Sequence, residues 1–417
     1  MPLQSNSHTR TGSNSSLSSN FFPLNNSNNN DQIEVQAQLT DHPAFKIKYH
    51  RSNSIVSIAT SSVPGTIDEY DEPESNSLPN IKVLGTGGTI ASKGLTSHQT
   101  AGYEVDLTIE DLVNSIPDLS TTCNLEYEQV LNIDSKEFDT EALLKLYRQI
   151  INDLPHYDGI VITHGTDTME ETAFFLQSTI STYKPIVLCG SMRPSTAISS
   201  DGPMNLYQAI IIASNQMSKN RGVLITLNDS IGSGFYITKS NANSLDTFKS
   251  IGQGYIGNFV NNEIRYFYPA NKPLGLTSFD VGMDVEVIPE VVVIYAHQGL
   301  NNEMIKVILD NMKEVKGLVL ATMGAGSLSE TTNQMLYELV KDYEEEFPIV
   351  YSKRSMDGMV PIGSLPKVKV NEKGDKEVFK NAIAGGYLNP QKARILLQLC
   401  LNDKMDLNQI KEVFSTV

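Results

Sequence analysis

Ile81-Lys82-Val83-Leu84-Gly85-Thr86-Gly87-Gly88-Thr89-Ile90-Ala91-Ser92 decides how the rest of the chain is read. An apolar run leading into Gly-Thr-Gly-Gly-Thr predicts a buried strand that ends in a backbone-permissive loop and delivers a hydroxyl to the strand's carboxyl edge. Thr89 is therefore a first candidate nucleophile. By itself, a Gly-rich turn after a strand suits phosphate binding or simple chain reversal equally well. The spacing argues against nucleotides. Gly85, Gly87 and Gly88 are followed by Ile90 where a dinucleotide fingerprint needs its third Gly, and no Gly-Lys-Ser/Thr closes a phosphate loop.

Working outward, Asp158-Gly-Ile-Val-Ile-Thr-His-Gly-Thr166-Asp167-Thr-Met-Glu-Glu-Thr172 repeats the arrangement: apolar strand, Gly, Thr, then a helix expected to open at Asp167. Around these two stretches, short apolar runs alternate with amphipathic segments, the pattern of an α/β fold with parallel strands and crossover helices. Strands are predicted at 159–163, 185–189 and 222–227, and helices at 169–180 and 203–215, with a further helix capped by Asp139. In open sheets of this kind ligands bind beyond the carboxyl ends of the strands, which places Thr89 and Thr166 in one site. The Pro- and Gly-containing stretch from Tyr266 to Asp280 lacks helical period and reads as a connection between domains. A second, smaller alternating unit begins with Val291-Val-Val-Ile-Tyr-Ala296 and ends in a helix whose Pro390 fits the first turn. The expected division is an N-terminal extension over 1–77, a larger N-terminal domain over 78–268 with a mostly parallel sheet, a linker over 269–290 and a smaller C-terminal α/β domain over 291–417.

At 417 residues the chain is long enough for two domains and extra sequence. The first 77 residues are polar and poor in hydrophobic periodicity, so a disordered extension is expected there. Within it, Arg51-Ser-Asn-Ser54 reads as a kinase site or as a chance basic cluster on a solvated tail. The formal charge of -16 excludes nucleic acid and anionic membranes as partners, since either needs a dense Lys/Arg face. No apolar run approaches membrane-spanning length, and the N-terminus has no apolar core of a signal peptide. Cys123, Cys189 and Cys400 lie far apart, with neither metal nor redox spacing, which fits a reducing, cytoplasmic setting without cofactor or metal.

From Leu78 onward the chain carries, in order, Gly87-Gly-Thr89-Ile-Ala, Ile162-Thr-His-Gly-Thr166-Asp167-Thr-Met-Glu-Glu-Thr, Gly190-Ser-Met-Arg-Pro-Ser-Thr, Ser200-Asp-Gly-Pro-Met-Asn-Leu-Tyr, Thr238-Lys239 and Leu388-Asn-Pro-Gln-Lys-Ala-Arg. On these stretches, which stand in family order, it bears a resemblance to the bacterial-type L-asparaginases, a family of two-domain α/β amidohydrolases. The resemblance implies hydrolysis of L-asparagine to L-aspartate and ammonia through a Thr acyl-enzyme. A Thr hydroxyl is a weak nucleophile at neutral pH and needs a neighbouring base or a lowered pKa. By resemblance, Thr89 is the nucleophile, Tyr103 polarises its hydroxyl, and Thr166, Asp167 and Lys239 form a supporting relay. The residues alone leave open which Thr attacks first.

For the substrate's charged ends, Asp167 suits the α-ammonium, and the resemblance assigns the α-carboxylate to Ser135 and the leaving amide to the carbonyl of Ser191. The backbone amides of the Gly87-Gly88-Thr89 turn are expected oxyanion donors, worth roughly 3 kcal/mol each when well placed. Many secreted members carry Gln where this chain has Lys136, a further substrate-binding candidate, and Asn contributed across the dimer where this chain has Ser327. Glu372 and Glu377 are candidates for a Glu that a neighbouring subunit supplies. The family's shared sites imply a homo-oligomer, a tetramer built as a dimer of intimate dimers. An amidohydrolase of the same fold acting on L-glutamine or another amide, and a non-catalytic binding protein, are the alternatives; the intact Thr-Thr-Asp-Lys set argues against the second.

Overall fold

The computed structural model describes residues 77–417, apart from Thr100, Ala101, Tyr103, Asp118, Glu344 and Glu345. The extension expected before residue 77, with its Arg51-Ser-Asn-Ser54, and the candidate Tyr103 lie outside the described residues. The described residues belong to one compact unit.

Strand β1 (Asn80–Gly87) is buried at every position after Asn80, as its apolar run demands. A short ribbon, β2 (Ser92–Lys93) with β3 (Glu104–Val105), and helix α1 (Ile109–Asn114) lead to β4 (Asn124–Ile133), which returns parallel to β1. Helix α2 (Thr140–Asp153) opens at Asp139, whose carboxylate accepts the Ala142 N–H at 2.9 Å. The chain then alternates through β5 (Gly159–Thr163), α3 (Met169–Thr179), β6 (Ile186–Cys189), α4 (Gly202–Ser214) and β7 (Val223–Leu227). Every residue of β5, β6 and β7 is buried, because helices cover both faces of the parallel sheet.

Beyond β7 the sheet turns antiparallel. β8 (Ser230–Ser233) is followed by a separate ribbon, β9 (Thr238–Lys239) with β10 (Phe248–Lys249), and then β11 (Gly257–Val260) and β12 (Glu263–Tyr266) complete the edge. The eight strands run β12-β11-β8-β7-β6-β5-β1-β4.

Between Tyr266 and Glu290 no helix or strand occurs among the described residues. The smaller lobe carries β13 (Glu290–Tyr295), α5 (Asn302–Asn311), β14 (Val315–Thr322), α6 (Glu330–Val340), β15 (Ile349–Lys353), a ribbon of β16 (Lys367–Lys369) and β17 (Lys376–Val378), and β18 (Ala382–Ala384). Its four-stranded sheet, β13-β14-β15-β18, is parallel throughout. Helices α7 (Pro390–Asn402) and α8 (Leu407–Phe414) close the chain. Pro390 occupies the first turn of α7, and Asn389 caps it by accepting the Lys392 N–H at 3.0 Å. The apolar stripe of α7 joins the two lobes: Leu396, Leu397 and Val319 share one buried cluster with Leu84, Ile162 and Phe174.

The helix expected from Asp167 begins at Met169 instead. Thr168 has non-helical backbone angles, φ -119 and ψ 8, and the Asp167 carboxylate turns to Lys239 rather than capping the helix.

Candidate active site

Two strand ends come together because glycines let their backbones touch. A Cβ added at Gly88 would lie 2.3 Å from the Gly165 Cα, and one at Gly165 would lie 2.6 Å from both Cβ and Oγ of Ser135. Gly190 repeats the device against the His164 carbonyl at 2.5 Å and Thr166 Cγ2 at 3.1 Å. The turns after β1, β5 and β6 and the one after β4 are thus in backbone contact, and Thr89, Thr166, Ser191 and Ser135 converge at the carboxyl edge of the sheet. The Thr86 hydroxyl adds a tie, donating to the Thr163 carbonyl at 2.8 Å.

Thr89 starts a short 3-10 turn, half-buried, with Gly88 before it at φ 82, a conformation that favours glycine. The Gly88 N–H is not available to a substrate. It donates to the Ile133 carbonyl at 3.0 Å, because pairing between β1 and β4 continues to the end of β1. The expected set of oxyanion donors on this turn is corrected to that extent.

Thr166 is buried, 4 % exposed. The Lys239 ammonium, carried on β9, donates to Thr166 Oγ1 at 2.9 Å and to Asp167 Oδ1 at 2.5 Å. The side chains of Lys239 and Asp167 are 15 % and 61 % exposed, so solvent screens the pair and it fixes geometry more than it stabilises the fold. Ser135 is buried, and its Oγ accepts the Asp167 N–H at 3.3 Å, which leaves its own O–H to donate. The Ser135 carbonyl in turn accepts the Thr168 hydroxyl at 2.9 Å. Lys136 does not join this cluster: its side chain is 66 % exposed and its ammonium pairs with Asp134 at 3.3 Å.

Ser191 is fully buried, its hydroxyl donating to the Arg193 carbonyl at 2.7 Å. Its loop is held by Asp201, whose carboxylate accepts the N–H groups of Met192 at 3.0 Å and Arg193 at 2.9 Å. Asn205 links this clamp to the sheet, donating to Asp201 at 3.0 Å and to the Gly190 carbonyl at 2.9 Å.

His164 stands directly behind the site, fully buried, with Nδ1 2.8 Å from the Gly165 carbonyl and Nε2 3.0 Å from the Thr172 hydroxyl. A carbonyl only accepts, so Nδ1 carries the proton and Nε2 accepts from Thr172. Burial pushes its pKa down to about 4, against the hydrogen bond to Gly165, and the ring is neutral at pH 7. Sequence reasoning gave His164, Asp201 and Asn205 no role, although all three lie inside the quoted stretches; their signal was a polar residue beside a reactive turn.

On the smaller lobe, Ser327 is exposed on the turn after β14, where a bridge pairs it with Met323. Glu372 and Glu377 are exposed at the β16–β17 ribbon.

Residues 80–272 match the model of the asparaginase N-terminal domain, and residues 290–414 match that of the glutaminase/asparaginase C-terminal domain. The Saccharomyces cerevisiae protein L-asparaginase 2-3 is 50% identical over 353 residues, covering 83% of this chain and 92% of the relative. L-asparaginase 2 of Escherichia coli is 40% identical, covering 81% of this chain and 93% of its own length. Among solved structures, a probable cytoplasmic L-asparaginase from Campylobacter jejuni superposes with a TM-score of 0.72 at 35% identity, over 81% of this chain and 100% of that one.

Proposed function

The chain belongs to the asparaginase family, and from that premise we propose how the residues of this L-asparagine amidohydrolase divide the work. Its reaction converts L-asparagine to L-aspartate and ammonia. Thr89 is the nucleophile: its Oγ bonds to the side-chain amide carbon, the C–N bond breaks, and ammonia leaves with the proton given up by the hydroxyl. Water then attacks the ester, the C–Oγ bond breaks, and aspartate is released. Thr166, Lys239 and Asp167 move the proton in each half, with Tyr103 polarising the Thr89 hydroxyl. The observation that carries this reading is the Lys239 ammonium placed 2.9 Å from Thr166 Oγ1 and 2.5 Å from Asp167 Oδ1, at the same strand edge as Thr89.

Ser135 receives the α-carboxylate with its spare O–H, and the exposed part of Asp167 receives the α-ammonium. The Ser191 carbonyl accepts from the leaving amide. The enzyme acts in the cytoplasm as a homotetramer. Three buried cysteines without disulfides support the reducing compartment, and the exposed Val293 and Tyr295 on edge strand β13, with Val307 on α5, support assembly through the smaller lobe. Ser327 and one of Glu372 or Glu377 are the side chains offered to a neighbour's site.

Thr89→Val and Thr166→Val keep side-chain shape and delete a hydroxyl. Each is expected to lower ammonia release from L-asparagine by at least about 1000-fold with an unchanged far-UV spectrum. Wild-type turnover in either variant contradicts the role given to that residue.

A further inference from the structure

Lys392, on the first turns of α7 in the smaller lobe, is a lysine with no access to water, 2 % exposed as a whole residue. Its ammonium donates to three carbonyls of one turn in the larger lobe: Ile237 at 2.6 Å, Phe235 at 2.9 Å and Gly234 at 3.3 Å. An ammonium has three N–H donors, so all three are spent on this turn. The turn joins β8 to β9, and Ile237 stands two residues before Lys239. Asn389, the cap of the same helix, donates to the Thr238 hydroxyl at 3.3 Å, and β10 pairs with Thr238 and Lys239 from the other side. A buried charge costs several kcal/mol unless it is fully hydrogen-bonded, so an apolar side chain would serve packing better at this position.

We propose that Lys392 is a positioning residue for the amide hydrolysis: by gathering the carbonyls of the 234–237 turn it sets where Lys239 stands, and through Lys239 the geometry of Thr166 and Asp167. The smaller lobe thereby contributes to the site of its own chain. The inference rests on the functional reading given above to Lys239.

The charged groups facing Lys392 are Glu170 and Glu171 on α3 and Lys353 at the end of β15. Glu170 is already bound by Asn389 at 3.2 Å and Gln391 at 3.0 Å, Glu171 by Arg394 at 3.2 Å, and Lys353 donates to the Tyr387 carbonyl at 3.0 Å with Asp357 beyond it. No carboxylate is bonded directly to Lys392 among the described residues, and burial lowers its pKa from 10.5 to about 8. Because the folded chain holds this proton less tightly than the unfolded one, loss of the proton between about pH 8 and 10.5 adds to stability as pH rises. The neutral amine keeps only two N–H donors for three carbonyls, so positioning weakens over the same interval. A residue that only supported the fold would move activity and stability in one direction; Lys392 is expected to move them in opposite directions.

The test measures kcat and KM for L-asparagine against pH for the full chain and for Lys392→Met, with hydrogen exchange of the 234–239 amides in the wild type. We expect Lys392→Met to lower kcat at neutral pH by about 10- to 100-fold with KM changed less than about threefold, since small misplacements of this kind cost turnover before binding. The wild type should show a decline in kcat as pH passes about 8, and the variant should lack it. In the wild type, protection of the turn amides, corrected for intrinsic rate, should fall over the same pH interval. A folded variant with wild-type kcat and pH profile overturns the proposal, even if its melting midpoint is lower. If the variant does not fold, unchanged protection of the wild-type turn across that interval overturns it. Absence of ammonia release from the wild type would instead defeat the functional reading itself.

Discussion

His164 shows how one buried side chain fixes the turn that carries Thr166. Its two ring nitrogens are both engaged, one on the Gly165 carbonyl next to Thr166 and the other on Thr172 of α3, so the ring pins the β5 turn to the following helix. Phe138 packs against it with ring centroids 4.4 Å apart and keeps water away. With its pKa lowered from 6.5 to about 4, the folded chain binds this proton less readily than the unfolded chain. The contribution is therefore fully present above about pH 6.5 and is lost as pH falls toward 4, amounting to about 3 kcal/mol. Urea unfolding of wild type and His164→Gln across this interval measures it: the wild-type stability should fall more steeply, by about that amount. Parallel curves would mean that His164 does not titrate as its burial requires. The sequence presented His164 only as one letter between Thr163 and Gly165; that it is fully buried depends on Phe138, in the loop before α2, and on Thr172 of α3.

At the scale of elements, the site exists because turns from non-adjacent segments share space that only glycine leaves free. Gly88 combines φ 82 with a would-be Cβ contact of 2.3 Å to Gly165. Replacing Gly88 with Ala forces the turns after β1 and β5 apart. It should destabilise the protein by about 1–3 kcal/mol, read from the urea midpoint, and lower turnover by at least about 100-fold. Retained turnover would show that the two turns need not touch. Much of this was legible beforehand. The strand at Gly159–Thr163 and the helices beginning near Thr140, Asn302 and Pro390 follow from apolar period and capping residues, which are local signals. The antiparallel edge from Ser230 to Tyr266 is not legible in the sequence, because strands of four residues separated by Gly and Asn carry too short an alternation. The start of α3 slipped by two residues because Asp167, an ordinary capping residue by composition, is held by a lysine 72 positions away. Lys392 was illegible for the same reason: on an amphipathic helix a lysine reads as solvated, and its three carbonyl partners lie more than 150 residues earlier.

The whole molecule joins its lobes through α7, whose apolar face packs into the larger lobe's core while its first turns carry Asn389, Gln391, Lys392 and Arg394 to Glu170, Glu171, Thr238 and the 234–237 turn. A chain built this way uses the smaller lobe twice: inward, through Lys392, to order its own site, and outward, through β13, α5 and Ser327, toward a neighbour in the proposed tetramer. The chemistry proposed above for this family comes down to one bond, between Thr89 Oγ and the acyl carbon of the substrate. Rapid acid quenching of the full chain during turnover of L-asparagine, followed by peptide mass spectrometry, looks for that bond directly. We predict a β-aspartyl ester on the peptide containing Thr89, absent from Thr89→Val; an ester on the Thr166 peptide, or none on any Thr while ammonia is being released, would contradict the assignment of Thr89 as nucleophile.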